Sequence, residues 1–189
     1  MLKKINGKCE GPFPTFLEYY RSKSLRAKII MPFTKRLRAI YAGIFMEPKE
    51  NHLDIGCGDG YFIKRSKCRN CWGIDQCYGE KFDSKLAFES EYFDYVTILA
   101  VIEHLDNPEL AFKEIHRVLK PGGRFIFTTP KKSGEWLMKF YAKEIKVDHR
   151  RYFDLETVRE LSQELFRMEA YKTFLLGYNQ IFSLIKVSP

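Results

Sequence analysis

The segment NHLDIGCGDGYF, residues 51–62, constrains this chain more than any other. A short apolar run carrying one carboxylate, Asp54, leads into glycines at 56, 58 and 60. Alternate glycines permit a tight turn whose backbone comes close to whatever the loop holds. An apolar run ending in such a turn reads as a buried strand with a ligand loop at its carboxyl end. In a dinucleotide fingerprint the glycines fall as G-x-G-x-x-G, and the third brings a helix N-terminus towards a pyrophosphate. Here the third position is Tyr61, and Gly60 comes one residue early. Asp54 would also set negative charge beside negative charge. The loop suits a ligand with a cationic centre and no phosphate.

Downstream of the loop, helical and strand-like signals alternate. HLDIG, CWGID, FDYVTIL and RFIFTTP read as strands, and AYKTFLL and QIFSLIKV as a closing pair. YFIKRSK reads as a short helix, and PELAFKEIHRVLK as an amphipathic helix with Pro108 near its start and PGG at its end. DLETVRELSQELF reads as a helix capped by Asp154. This alternation predicts an α/β, Rossmann-like fold: a mostly parallel sheet with helices on both faces and its site at the carboxyl ends of the strands. Residues 13–45 carry a helical pattern interrupted at Pro32, giving an N-terminal helical lid over 1–48 and the main domain over 49–189.

In that N-terminal segment Arg21, Lys23, Arg26, Lys28, Lys35, Arg36 and Arg38 occur with no acidic residue between them, while the chain as a whole has a net charge of +8. Phe33, Leu37, Ile40, Tyr41, Ile44 and Phe45 form an apolar stripe at helical spacing. Three roles are open for the segment: a lid packed over the site, peripheral contact with an anionic membrane, or contact with RNA. No run of about 18 uncharged apolar residues and no signal-peptide pattern is present, so the chain is expected to be cytoplasmic. Five cysteines, an odd number in a chain of 189 residues, favour reduced thiols. The CRNC pair at Cys68 and Cys71 lacks further ligands at zinc spacing, and no metal is expected.

GID ends in Asp75, about twenty residues beyond Asp54, where an acid at a strand tip accepts hydrogen bonds from both hydroxyls of a ribose. An adenosine-type ligand with a cationic centre and no phosphate is S-adenosylmethionine. In order along residues 51–185, LDIGCGDGYF, GID, FDYVTILAVIEHL, RVLKPGGRFIFTTP and DHRRYFDLETVREL resemble the class I S-adenosylmethionine-dependent methyltransferases, in particular small bacterial and archaeal ones. The resemblance implies that Asp54, Gly56, Cys57, Gly58 and Gly60 line the methionine end of the cofactor and that Asp75 and Gln76 hold the ribose. It aligns Asp83 and Ser84 with the adenine contacts and sets Leu99 and Ala100 beneath the cofactor, which leaves as S-adenosylhomocysteine. QCYGEKFDSKLAF leaves no room for the family's usual helix and strand, so the sheet is compact around its second and third strands.

Methyl transfer from a sulfonium needs alignment and exclusion of water, and a base only where the acceptor must lose a proton. His104 and His149 are the candidates for that base. His104 is more simply read as capping or packing the turn beside Glu103, and His149 is equally readable as a brace between Asp148 and Arg150. Tyr19, Tyr20, Tyr141 and Tyr152 are candidates for the acceptor pocket; His52 and His116 belong to strand and helix patterns without assigned chemistry. LAVIEH stands where nucleobase N-methyltransferases carry an Asp or Asn and two prolines, which disfavours a nucleic-acid substrate. The expected acceptor is a small molecule, a lipid or a glycan intermediate. A non-catalytic cofactor-binding subunit and an NAD(P)-linked oxidoreductase are the alternatives.

Overall fold

The computed structural model describes residues 25–66, 68–75, 85–134 and 151–187. Six strands form one sheet: β1 (Lys49–Ile55), β2 (Cys68–Ile74), β3 (Phe93–Leu99), β4 (Leu119–Pro130), β5 (Phe166–Phe174) and β6 (Asn179–Lys186), in the order β2-β1-β3-β4-β6-β5. The pairs β1–β2, β1–β3 and β3–β4 are parallel. β6 runs antiparallel to both β4 and β5, so it alone opposes the common direction. The hairpin joining β5 to β6 turns through Leu175, Leu176 and Gly177, all with positive φ. Among the described residues β2 is an edge strand.

Alternation along the strands gives the sheet two unlike faces. Leu53, Ile55, Val96, Ile98, Phe125, Phe127, Phe182 and Leu184 point to one face and join a large core with helices α2 (Pro108–Val118) and α3 (Leu155–Ser162). Both helices start as their sequences predict. Asn107 caps α2 by accepting from Leu110 N with Pro108 in the first turn, and Asp154 caps α3 by accepting from Thr157 N. The opposite face carries Tyr95, Ile126 and Ile181, covered by helix α1 (Leu25–Ile44) through Ala39 and Ala42 with Leu37, Tyr41 and Phe45 beside them. Small alanines let the helix approach the sheet closely. Among the described residues no helix is long and apolar enough to cross a membrane.

Several local expectations change. α1 runs unbroken through Pro32, because docking of its second half on the sheet overrides the local break signal. Its expected stripe splits. Leu37, Tyr41 and Phe45 pack inward, whereas Phe33, Ile40 and Ile44 are exposed together with Ile29. YFIKRSK contributes a single 3-10 turn, Ile63–Arg65. PGG does not close α2 as expected: β4 begins at Leu119, and the extra residues bulge between the pairs Phe93–Leu119 and Tyr95–Arg124. Gly122 takes φ +71 there, and Lys120 holds Asp94 at 3.0 Å across the bulge. The expectation of reduced thiols is also overturned for one pair, since Cys68 and Cys71 of β2 are joined as a disulfide.

The centre of the larger core is Phe112 of α2, fully buried and edge-on to Phe125 (5.2 Å), Phe127 (6.0 Å) and Phe166 (6.1 Å). Phe112→Ala should destabilise the protein by about 3–5 kcal/mol through lost contact and a residual cavity. Urea unfolding checks this, with a lowered midpoint and an unchanged m-value as the expected result.

Candidate functional site

The parallel register lines up the carboxyl ends of the central strands, with Ile55 opposite both Ile74 and Ile98, and Leu99 opposite Thr128. Three segments leave the sheet along this edge: the glycine loop after β1, Asp75 after β2, and Ala100–His104 after β3. In the loop Gly56, Gly58 and Gly60 all have positive φ, at +74°, +52° and +70°. Only glycine adopts these values without strain, so the spacing seen in the sequence is a backbone requirement. A Cβ on Gly56 would collide with the Val101 side chain, whereas a Cβ on Gly58 would meet nothing within 4 Å. Gly56 thus packs the loop down onto the segment after β3, and Gly58 faces open space of the kind a ligand needs.

Asp75 accepts from Gly58 N at 2.8 Å, which ties the loop to the tip of β2. Asp54 lies one turn below. It is 3% exposed, and Thr97 Oγ1 donates to its Oδ1 at 2.6 Å. Burial pushes the Asp54 carboxyl up to about 7; the Thr97 hydrogen bond opposes the rise and the Asp75 charge adds to it. A cation arriving at this edge would meet two acids on adjacent strands. His52 shares a strand face with Asp54, two residues earlier, and its Nε2 lies 2.8 Å from Thr97 Oγ1. Burial pushes His52 down to about 3, so the ring is neutral. Neither His52 nor Thr97 was assigned a role from the sequence; the alternation His52, Asp54 on one strand was the available signal.

Leu99 and Ala100 close the edge beneath the loop, half-buried, with Ala100 in a left-handed conformation (φ +58) and its N–H donating to Thr128 O at 2.9 Å. Cys57 turns its thiol into a small cluster with Ile63 and Cys71, so its side chain faces the interior. Beyond Ala100 a 3-10 turn, Ile102–His104, exposes His104 and buries Glu103 at 2% exposure. Burial raises the Glu103 carboxyl, opposed by its own backbone N–H and then by His104, Arg38 and Thr129. Glu103 Oε2, Thr128 Oγ1, Thr129 Oγ1 and Asn179 Oδ1 are buried without a hydrogen-bond partner among the described residues. Thr129 and Asn179 sit on the same edge, with Asn179 opposite Pro130. Tyr152 is half-buried next to Phe153, whose carbonyl accepts from Gln180. Gln76, Asp83, Ser84, His149, Tyr19, Tyr20 and Tyr141 lie outside the described residues.

Helix α1 is clasped to the loop. Lys35 Nζ contacts both oxygens of Asp59 at 2.7 Å, and the same ammonium lies 4.8 Å from the Tyr61 ring. This gives one residue of the basic segment a specific partner in the loop itself.

A family model described as a methyltransferase domain matches residues 20–165. A ubiquinone biosynthesis O-methyltransferase of Pseudomonas syringae pv. tomato is 29% identical over 99 residues, covering 41% of this chain and 43% of that protein. A demethylmenaquinone methyltransferase of Staphylococcus carnosus is 35% identical over 83 residues, covering 44% of this chain and 30% of that protein. The matched stretches therefore span less than half of these relatives. Among solved structures, a chain of the complex between the Haloferax volcanii Trm112 methyltransferase activator and a methyltransferase aligns with a TM-score of 0.67 at 16% identity, covering 80% of this chain and 89% of that one. A SAM-dependent methyltransferase from Aquifex aeolicus aligns at 0.56 and 16% identity, covering 93% and 94%. At these identities the structures establish the shared α/β fold.

The buried acid has a measurable signature. Because the folded pKa of Asp54 lies above its unfolded value, the folded state holds the extra proton between about pH 4 and 7. Its contribution is therefore most favourable at low pH and is lost as pH rises through about 7. Asp54→Asn should remove that decline, flattening the slope of stability with pH by roughly 1 kcal/mol per unit. Urea midpoints at a series of pH values from 5 to 8 test this; identical slopes for the two proteins would refute the assignment.

Proposed function

The chain belongs to the methyltransferase domain family, and on that premise we propose that it transfers the methyl group of S-adenosylmethionine to a small-molecule or lipid-type acceptor. The observation that carries this reading is the pairing of Asp54 and Asp75 at adjacent parallel strand tips around a left-handed glycine loop with open space at Gly58. The residues present fit the cofactor: acids for its cationic end and its ribose, and bare backbone where the ligand must come close. The bound group supplies an electrophilic methyl on a sulfonium. What the chain supplies is placement.

Asp54 in its ionised form would hold the positively charged methionine end. Asp75, which accepts from Gly58 N at the strand tip, would hold the ribose. Leu99, Ala100 and Val101 form the floor and exclude water from beneath the reacting centre. On the acceptor side Glu103 is a carboxyl whose pKa burial raises, beside exposed His104. That pair can take a proton from an acceptor hydroxyl, with Thr129 and Asn179 orienting it. His149 and the tyrosines remain proposals on the same side, as do Gln76, Asp83 and Ser84 for the ribose and adenine.

For the acceptor, the names of the relatives point towards quinone-type molecules. The exposed Ile29, Phe33, Ile40 and Ile44 on a helix without acidic residues support an amphiphilic acceptor met near an anionic membrane surface. We place α1, with the chain that precedes it, as the lid, clasped by Lys35 and Asp59.

Asp75→Ala should weaken S-adenosylhomocysteine binding by about 2–3 kcal/mol, the scale of lost charge-assisted hydrogen bonds. Calorimetry on the folded variant decides; unchanged affinity would remove Asp75 from the site. Gly58→Val should abolish binding. Incubation of the protein with methyl-labelled cofactor and fractionated cell extract should place label in the lipid or small-molecule fraction. Binding without label in any fraction would instead favour a non-catalytic subunit. Replacing the exposed Arg36 by Glu, which keeps the Lys35–Asp59 clasp, should raise the apparent KM for the acceptor while cofactor affinity changes little.

A further inference from the structure

A line of side chains connects the cofactor carboxylate to the Cys68–Cys71 pair through the interior of the sheet. From Asp54 Oδ1 it passes to Thr97 Oγ1 (2.6 Å), His52 Nε2 (2.8 Å), His52 Nδ1 to Ser66 Oγ (3.2 Å), and Ser66 Oγ to Cys68 Sγ (3.0 Å). Cys71 Sγ lies 3.6 Å from the same hydroxyl. His52 and Thr97 are fully buried, while Cys68 and Cys71 are half-buried at the edge strand.

When Asp54 is ionised, one arrangement of protons joins this line from end to end. A carboxylate only accepts, so Thr97 spends its proton on Asp54. The Thr97 oxygen must then accept from His52, which puts the single proton of the neutral imidazole on Nε2. Nδ1 is left as an acceptor, open to the Ser66 hydroxyl when that proton turns from the Ile63 carbonyl, with the Cys68 sulfur 3.9 Å away as a second neighbour. The Ser66 oxygen in turn can accept from the Cys68 thiol. Reduced, the line is an unbroken series of donors running from Cys68 to Asp54, each strengthening the next. As a disulfide, Cys68 has no proton to give. The series loses its first donor, and the Ser66 proton is free to return to the Ile63 carbonyl, 2.9 Å away.

We propose that Cys68 and Cys71 are a redox modification site that tunes cofactor affinity, with Ser66, His52 and Thr97 as positioning residues acting through Asp54. The inference rests on the proposed cofactor site. In the oxidation the two thiols lose two protons and two electrons as the Sγ–Sγ bond forms. The electrons and protons reduce a small-molecule disulfide, such as oxidised glutathione, to two thiols. The reduced state favours the ionised carboxylate and so the cationic ligand.

The test uses the whole chain and S-adenosylhomocysteine as probe, titrated calorimetrically into protein reduced with a dithiol or oxidised with oxidised glutathione. Mass spectrometry verifies the Cys68–Cys71 bond. The reduced form should bind about fivefold more tightly, the effect of about one hydrogen bond. The response should vanish in the Cys68→Ser, Cys71→Ser double variant and in Ser66→Ala, and persist in Ser66→Thr, which keeps the hydroxyl. Equal affinity in both states with the bond confirmed, failure of the bond to form, or a full response in Ser66→Ala overturns the proposal. Absence of binding in either state overturns the cofactor reading and this one with it, whereas binding without a redox response overturns this one alone.

Discussion

The hydrogen bond from Thr97 to the buried carboxylate of Asp54 governs how the rest of the molecule is arranged. A carboxylate inside a parallel sheet is costly unless it is neutral or paired, and Asp54 has one short neutral donor and an acid for a neighbour. The site is therefore poised: protonated and tolerable without a partner, ionised when a cation arrives. In the proposed function the carboxyl edge brings such a cation there without a competing side chain. The glycines keep the loop bare, Val101 fills the space beneath Gly56, and Asp75 fixes the loop by holding Gly58 N.

The sheet separates stability from chemistry by face. On one side phenylalanines from β3, β4 and β6 interlock with α2 and α3 in an apolar core. On the other, β1 and β3 present His52, Asp54 and Thr97, joined by hydrogen bonds through the Thr97 hydroxyl. Polar groups in this position are tolerated because the chain of donors leaves none of their ring or carboxylate links unmade. Replacement of a residue on the first face costs packing; replacement on the second changes what the edge can hold.

Helix α1 joins the two halves of the function. Its inner side rests on the polar face through alanines, its Lys35 grips the loop at Asp59, and its outer side shows Ile29, Phe33, Ile40 and Ile44 to the surroundings. A single element thus touches the glycine loop and exposes an apolar, basic surface, the one we propose meets an amphiphilic acceptor. Loop and acceptor can in this way be coupled over one helix diameter.

Much of this was legible in the residues. The order of strands and helices, Pro108 at the start of α2, the cap Asp154, the glycine loop and the two acids Asp54 and Asp75 follow from local rules: alternation, capping and the need for glycine at positive φ. These depend on neighbours in sequence, so the sequence determines them. Only the tertiary structure decided the rest. Pro32 reads as a break, yet the sheet beneath α1 holds the helix straight through it; PGG reads as a stop, yet the register of β3 draws it into a bulge. His52 reads as a strand residue until β3 places Thr97 across from Asp54 and the turn before β2 brings Ser66 and the cysteine pair within reach. Such contacts join residues 14 to 45 positions apart, and what sets them is strand register and packing, which no local pattern encodes.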